Sequence, residues 1–460
     1  MTDRPSPERK GRKKTLAAAW LMLSISVVAF SLVDAAFPMN LLQAVEEDRL
    51  LAEARQRIMI VRCGNVTIDL GAGNAGKTVE IHQLTHAFKF GCEAFWYNCT
   101  GNASLDERYA SYFSRLFNYA TLRFYMNYYN EFLGSTYLAN VQQILHGMTS
   151  WLHGFNATVK GHTIIWQIRN QIPDQVEFST NASYREQFTY QHIENVLGNH
   201  TDIKIWDLVN EMTHVLNILL GSTAVETWEK ALGKARTIRN DCTFIANDFD
   251  TIQPGNASLT SNDARRFYDF VQQIVDDGYA PGALGFQCHE WMSSWLPVQD
   301  IIDTFDSFGK FRIPLHITEF DPGSKRYYGN SRSIRRGPMT EASQAELATR
   351  VYTMFFSHPA VDAITWWSFL EDAAWHAELG DFMMERSTGR LLPVYDALYD
   401  LIHVQWNSTC TRVLDSAGKV DFTGFYGNYT ASVEGSESVQ FSIADARTPD
   451  QRPWRILDLS

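Results

Sequence analysis

The 460-residue chain reads as an α/β protein built on a (β/α)8 barrel, with a β-hairpin before it and a short β-rich extension after it. Three observations carry that expectation. Eight short apolar runs alternate with longer helix-like stretches from residue 86 onward. Several runs are apolar on consecutive positions rather than alternate ones, the pattern of parallel strands buried on both faces. Two of them run straight into a glutamate, as expected where a barrel strand reaches its C-terminal rim.

The predicted strands are 86–91, 120–125, 158–166, 204–209, 243–246, 283–287, 314–318 and 363–367. Between the last two, apolar positions recur at helical spacing at Ala345, Leu347, Ala348 and Val351. Eight strand-then-helix units in one chain favour closure into a barrel. Ahead of it, Val66-Thr-Ile-Asp-Leu70 and Val79-Glu-Ile81 alternate across a Gly-rich turn and predict the hairpin. Behind it, segments beginning at Val420 and Val439 read as strands, and the last dozen residues read as loosely ordered. The expected organisation is a leader over 1–35, an N-terminal segment over 36–85, a catalytic domain over 86–408 and an extension over 409–460.

The leader carries Arg4, Arg9, Lys10, Arg12, Lys13 and Lys14, then an apolar run from Leu16 to Val33, then Asp34-Ala-Ala36. That is a signal peptide, or an anchor if left uncleaved; the small residues favour cleavage. A secreted or cell-surface location follows, with membrane association only through 16–33. Nine Asn-X-Ser/Thr sequons, among them Asn65, Asn156, Asn407 and Asn428, fit a glycosylated exterior. Six cysteines would permit disulfides there, in any of 15 pairings. A net charge of −12 argues against a nucleic-acid partner. No Cys-X-X-Cys occurs to support a zinc cluster. Gly71-Ala-Gly-Asn-Ala-Gly76-Lys77-Thr78 matches a phosphate-loop pattern, but the residues that follow alternate as a strand. Without a helix start at Lys77 there is nothing to hold phosphates, so the segment reads as a turn.

The chemistry lies in two strand ends, Trp206-Asp-Leu-Val-Asn210-Glu211 and Ile317-Thr-Glu319-Phe-Asp321. Carboxylates on the fourth and seventh strands face each other across a barrel mouth. Hydrolysis of a glycosidic bond needs such a pair, one to protonate the leaving oxygen and one to attack the anomeric carbon or activate water. An acid at a strand end can also merely cap the next helix; two at matching ends favour function.

With Gly161-His162-Thr-Ile-Ile-Trp166, Phe286-Gln287-Cys-His289 and Ile364-Thr-Trp-Trp367 to Trp375, these motifs resemble glycoside hydrolase family 10, the family of endo-1,4-β-xylanases. The resemblance runs from about residue 86 to 406. It implies a retaining mechanism, with Glu211 as acid/base and Glu319 as nucleophile some ~5–5.5 Å apart. It further implies that Asn210 binds the sugar 2-hydroxyl and that His289, oriented by Asp321, keeps Glu319 ionised. His162, Trp166, Gln167, Gln287, Trp367 and Trp375 would line the sugar site. No metal or organic cofactor is implied; the partner would be a β-1,4-linked polysaccharide, xylan first, and the protein a monomer. The chain departs from the family where Glu-Asn-X-X-Lys-Trp usually follows the second strand. Here Arg123-Phe124-Tyr125-Met126-Asn127-Tyr128 stands instead, and Gln167 replaces a His. Phe124 is expected to close part of the groove. Those changes leave room for a β-glycanase of other specificity, or for a catalytically silent carbohydrate-binding protein.

Overall fold

The computed structural model describes residues 41–215, 219–252, 262–292, 294–328, 333–335, 337–373, 377–448 and 450–459. The apolar 16–33 segment, Asn256 and Trp375 lie outside them. No helix among the described residues is long and apolar enough to cross a membrane.

Strands β3 (Lys89–Glu93), β4 (Tyr119–Arg123), β5 (Thr158–Trp166), β6 (Ile205–Asn210), β7 (Thr243–Asp248), β8 (Ala283–Phe286), β9 (Leu315–Phe320) and β12 (Val361–Trp366) close a parallel barrel. Two short pairs, β10 (Tyr327–Tyr328) with β11 (Gly337–Pro338) and β13 (Ser368–Leu370) with β14 (Phe382–Met384), stand outside it. Closure is made by Ala363 to Trp366 of β12 lying in register beside Lys89 to Cys92 of β3. Each predicted strand is present, displaced by a few residues at most. Tyr119, Ile205, Ile245, Ala283 and Ala363, all buried, form a cluster that packs the barrel interior. The barrel is therefore a solid core whose chemistry must sit at its rim.

The flanks differ from the expectation. β1 (Cys63–Asp69) and β2 (Thr78–His86) both form, but they do not pair with each other as a hairpin. β1 pairs antiparallel with β16 (Lys419–Phe425), from Cys63↔Phe425 to Asp69↔Lys419. β2 lies inside a second sheet ordered β15 (Cys410–Val413), β2, β17 (Gly427–Val433), β18 (Val439–Ile443). The segment between β1 and β2 turns through a 3-10 stretch, Ala72–Asn74, with Gly71 at φ 81° and Gly76 at φ 74°. It therefore starts no helix, and it carries the chain from one sheet to the other. The two sheets enclose one apolar cluster, including Ile68, Val79, Ile81, Phe422, Tyr429 and Ile443. The strands of the N-terminal segment and those of the C-terminal extension are thus one module. A cavity of about 830 Å³ separates this module from the N-terminal rim of the barrel, lined by Gln83, Lys89, Asn118, His403 and Asp445. It lies at the end opposite the C-terminal rim, where barrel catalysis is built.

Ahead of β1 stands a helix that the sequence reading omits, α1 (Leu41–Val61), packed on helices Glu341–Ser357 and Val298–Gly309. Its end is fastened by Arg62, a buried guanidinium donating to the carbonyls of Phe356 at 2.7 Å, His358 at 2.7 Å and Val361 at 2.8 Å. The tail is likewise held, not loose: Trp454 is buried, Arg452 pairs with Asp362, and Ile456 N–H donates to Asp306 at 2.6 Å. All six cysteines are free thiols, with Cys63, Cys92 and Cys288 buried.

Candidate active site

The C-terminal rim collects Glu211, Glu319, Asn210, His289 and Gln287, because strand alternation puts every second side chain on the barrel's inner face. Glu211 follows β6 directly. Its backbone N–H donates to Asn247 O at 2.8 Å, and its φ of 55° places it in the left-handed region, uncommon for a side-chain-bearing residue. Such a turn persists only where its surroundings hold it. Trp166 Nε1 donates to one carboxylate oxygen at 2.8 Å, and Gln287 Nε2 to the other at 2.9 Å. Asn210 Nδ2 adds a 3.1 Å contact to that second oxygen.

Glu319, at the end of β9, is held from the other side. His289 Nε2 lies 3.2 Å from its Oε2, and Asn247 Nδ2 donates to its Oε1 at 2.9 Å. Behind His289, Nδ1 meets Asp321 at 2.7 Å. The same Asn247 amide donates to Asn210 Oδ1 at 2.7 Å, while Thr318 Oγ1 donates to Asn247 Oδ1 at 2.6 Å. One chain of hydrogen bonds, Glu211–Asn210–Asn247–Glu319, therefore joins the two carboxylates.

Their electrostatics are opposed. Burial raises the pKa of Glu211 above the usual carboxylate value; Gln287 and Trp166 pull it back, and the charge of Glu319 pushes it up again. Burial acts the same way on Glu319, but the hydrogen bond from His289 and the electrostatic influence of His162, His289 and Lys160 overrule it, and its pKa is lowered. Burial disfavours charge on His289 as well, yet Asp321 and Glu319 raise its pKa well above the ordinary histidine value. One carboxyl is biased towards its proton and the other towards its anion. That separation is what assigns acid and base roles to a pair.

Around the pair, His162 Nδ1 and Lys160 Nζ both lie 2.7 Å from Asp207 Oδ2, deep in the barrel. The His162 ring sits among Tyr125, Trp166 and Trp367 at 5.2–6.5 Å between centroids. Trp367 also meets Phe95 edge to face. The structure moves two expected groove residues elsewhere. Gln167 is buried, and its Oε1 accepts from Leu219 N–H at 2.8 Å, so it fastens the loop after Glu211. Phe124 does not close the groove: fully buried, it packs edge to face on Trp206 and His200. Neighbouring Arg123 and Tyr125 take the inner face instead, since adjacent strand residues point to opposite sides.

Asn247 and Asp248 were missed by the sequence reading. They end β7 as Asn210-Glu211 follow β6, an apolar run meeting polar residues at the rim, and that signal was available. Asp248 accepts from Thr213 N at 3.1 Å and Thr213 Oγ1 at 2.7 Å, and lies 2.6 Å from His214 Nδ1. It steadies the turn that carries Glu211. Among the described residues no group of His, Cys, Asp and Glu is arranged to hold a metal.

Comparison with known proteins bears on the fold and the family. The chain is 22% identical to Endo-1,4-beta-xylanase 2 of Arabidopsis thaliana over 410 residues, 86% of this chain and 34% of that protein. It is 25% identical to Endo-1,4-beta-xylanase B of Thermotoga neapolitana over 236 residues, 47% of this chain and 60% of that one. It is also 22% identical to Anti-sigma-I factor RsgI6 of Acetivibrio thermocellus over 404 residues, 85% of this chain and 48% of that protein. The chain thus spans from about a third to three-fifths of the length of these relatives. Among solved structures, xylanase 10B of Thermotoga petrophila RKU-1 with xylobiose superposes with a TM-score of 0.55 at 20% identity, covering 69% of this chain and 95% of that one. The sequence profile described as Glycosyl hydrolase family 10 matches residues 98–397, which take in both carboxylates and all eight barrel strands but β3. The chain belongs to glycosyl hydrolase family 10.

Proposed function

We propose that the protein hydrolyses a β-1,4-linked polysaccharide of the xylan class by double displacement. Glu319 Oε attacks the anomeric carbon as the bond to the leaving oxygen breaks, and Glu211 gives that oxygen its proton. Glu211, now a carboxylate, then takes a proton from water, whose oxygen attacks the same carbon and frees Glu319. The observation that carries this reading is the opposed environment of the two acids: His289 on Glu319, and burial beside another carboxylate for Glu211. A named role for xylan in relatives supports the substrate class. Secretion, with a cleaved leader and glycans at exposed sequons, is part of the same proposal and rests on the sequence.

The test is release of reducing sugar from xylan, mixed-linkage glucan and an aryl β-xylobioside, against Glu319→Ala as background. Release above that background, with a first product of retained anomeric configuration by NMR, is expected. No release on any of the three overturns the proposal.

A second reading is a carbohydrate-binding protein without turnover. The rebuilt segment 123–128 favours it, and one relative is named as an anti-sigma factor rather than an enzyme. Tight oligosaccharide binding with no product would establish it.

A further inference from the structure

One side of the cleft carries a guanidinium with no counter-charge in contact. Arg123 ends β4 in register with His162 of β5, so the two side chains leave the sheet on the same face, towards the mouth. Its guanidinium lies 4.6 Å from the ring centre of Tyr128 and 5.5 Å from that of Phe95. Phe95 in turn meets Trp367 and Tyr125, and Tyr125 meets Trp166, the donor to Glu211. A run of three rings, Phe95, Tyr125 and Trp166, therefore links the cation to Glu211.

Two features of Arg123 are not those of a structural ion pair. Its Nε is buried with no hydrogen-bond partner, and among the described residues it forms no ion pair within 4 Å. The acid that its field does reach, Glu93, is committed: its two oxygens accept from Phe95 N–H at 2.8 Å and Phe369 N–H at 3.0 Å. The Tyr128 hydroxyl is its polar neighbour. A bland account makes Arg123 a packing piece that stacks on two rings. That account leaves unexplained why a chain with 52 acidic and 40 basic residues keeps this partly buried cation without an ion-pair partner among the described residues. A planar fork between aromatic faces suits an anionic sugar, since the rings take the sugar's apolar face and the fork takes two oxygens of one anion.

We propose that Arg123 is a specificity-determining residue that binds an anionic substituent of the glycan, a uronate carboxylate or a sulfate ester, at the side of the rim formed by Phe95 and Tyr128. The proposal rests on the hydrolase reading above for its substrate, but it can fail separately.

The experiment compares kcat/KM of the whole protein on an oligosaccharide bearing a glucuronate branch, the same oligosaccharide after carboxyl reduction, and a sulfated counterpart. The wild type is expected to prefer one or both anionic forms by about tenfold over the reduced form, a preference that shrinks as salt is added. Arg123→Gln is expected to bring the ratio to about one, and Arg123→Lys to an intermediate value because it keeps charge but loses the fork. Preference for the carboxylate alone or for the sulfate alone identifies the source of the anion. A packing role would lower stability without moving the ratio. If Arg123→Gln does not fold, Arg123→Lys and the salt dependence of the wild type give the answer. A wild-type ratio near one on both anions, or a ratio unchanged by either substitution, overturns the proposal. Calorimetric binding of the same sugars to Glu319→Gln separates the two readings. Arg123-dependent binding in a protein that never turns over leaves this inference standing and removes the hydrolase. Turnover with no anion preference does the reverse.

Discussion

Glu211 and Glu319 differ in their neighbours, and their pH behaviour should differ accordingly. In the proposed mechanism Glu319 must be ionised, so the acid limb of the kcat/KM profile is expected to follow a pKa lowered by His289 against burial. Asp321→Asn removes the negative charge that keeps His289 protonated. The pKa of Glu319 must then climb, and the acid limb should move to higher pH with a ~10²-fold loss in kcat/KM. A limb that stays in place would show that Asp321 does not act through His289. The first step proposed above also requires Glu211 protonated. Gln287 Nε2 stabilises its anion at 2.9 Å, so Gln287→Ala should raise the pKa further and carry the alkaline limb to higher pH. A shift in the other direction would contradict the assignment of Glu211 as the acid.

At the scale of elements, the rim is positioned by contacts between adjacent strands and helices. Gly161 of β5 lies under the Trp206 ring of β6, and a Cβ there would come within 2.1 Å of a ring carbon. Gly161→Ala must displace Trp206, four positions before Asn210, and should cost ~1–3 kcal/mol in urea unfolding while lowering kcat. An unchanged midpoint would mean that the strand pair yields easily. Arg62 belongs to the opposite end of the barrel. Its three carbonyl partners bind helix Glu341–Ser357 and the start of β12 to the end of α1. Arg62→Ala leaves buried carbonyls without a donor and should cost ~3 kcal/mol or more, with catalytic parameters at low temperature little changed. Loss of activity without loss of stability would argue against this role.

For the whole molecule, strands from the N-terminal and the C-terminal parts of the described chain meet in one module. β1 has its partner in β16, and β2 lies between β15 and β17. A chain ending at residue 408 therefore exposes the edges of β1 and β2 and opens the cluster around Ile81 and Phe422. Each such side chain is worth roughly 1.5–3 kcal/mol when fully buried. The shortened chain should be cleaved between residues 63 and 86 by limited proteolysis under conditions that leave the full chain intact. Equal resistance would show that the N-terminal strands need no partner from the C-terminus.

Local sequence was enough for the barrel and for its pair of acids. A buried parallel strand is a continuous apolar run, and a catalytic rim is such a run meeting an acid; both are written within six or seven residues, as at Trp206 to Glu211 and His316 to Asp321. What required the tertiary structure was long-range partnership. The alternation of β1 and β2 says that each has one buried face, but not which strand covers its edge, and the covering strands lie more than 300 residues away. The side of the strand taken by Phe124 was likewise undecided, because its register depends on neighbours: it is buried against Trp206 and His200, and Arg123 with Tyr125 faces the cleft. Sequence by itself determined that two acids stand at the ends of barrel strands. The packing of distant segments decided which side chains stand beside it, since a side chain's direction is set by the strand it pairs with and not by its own identity.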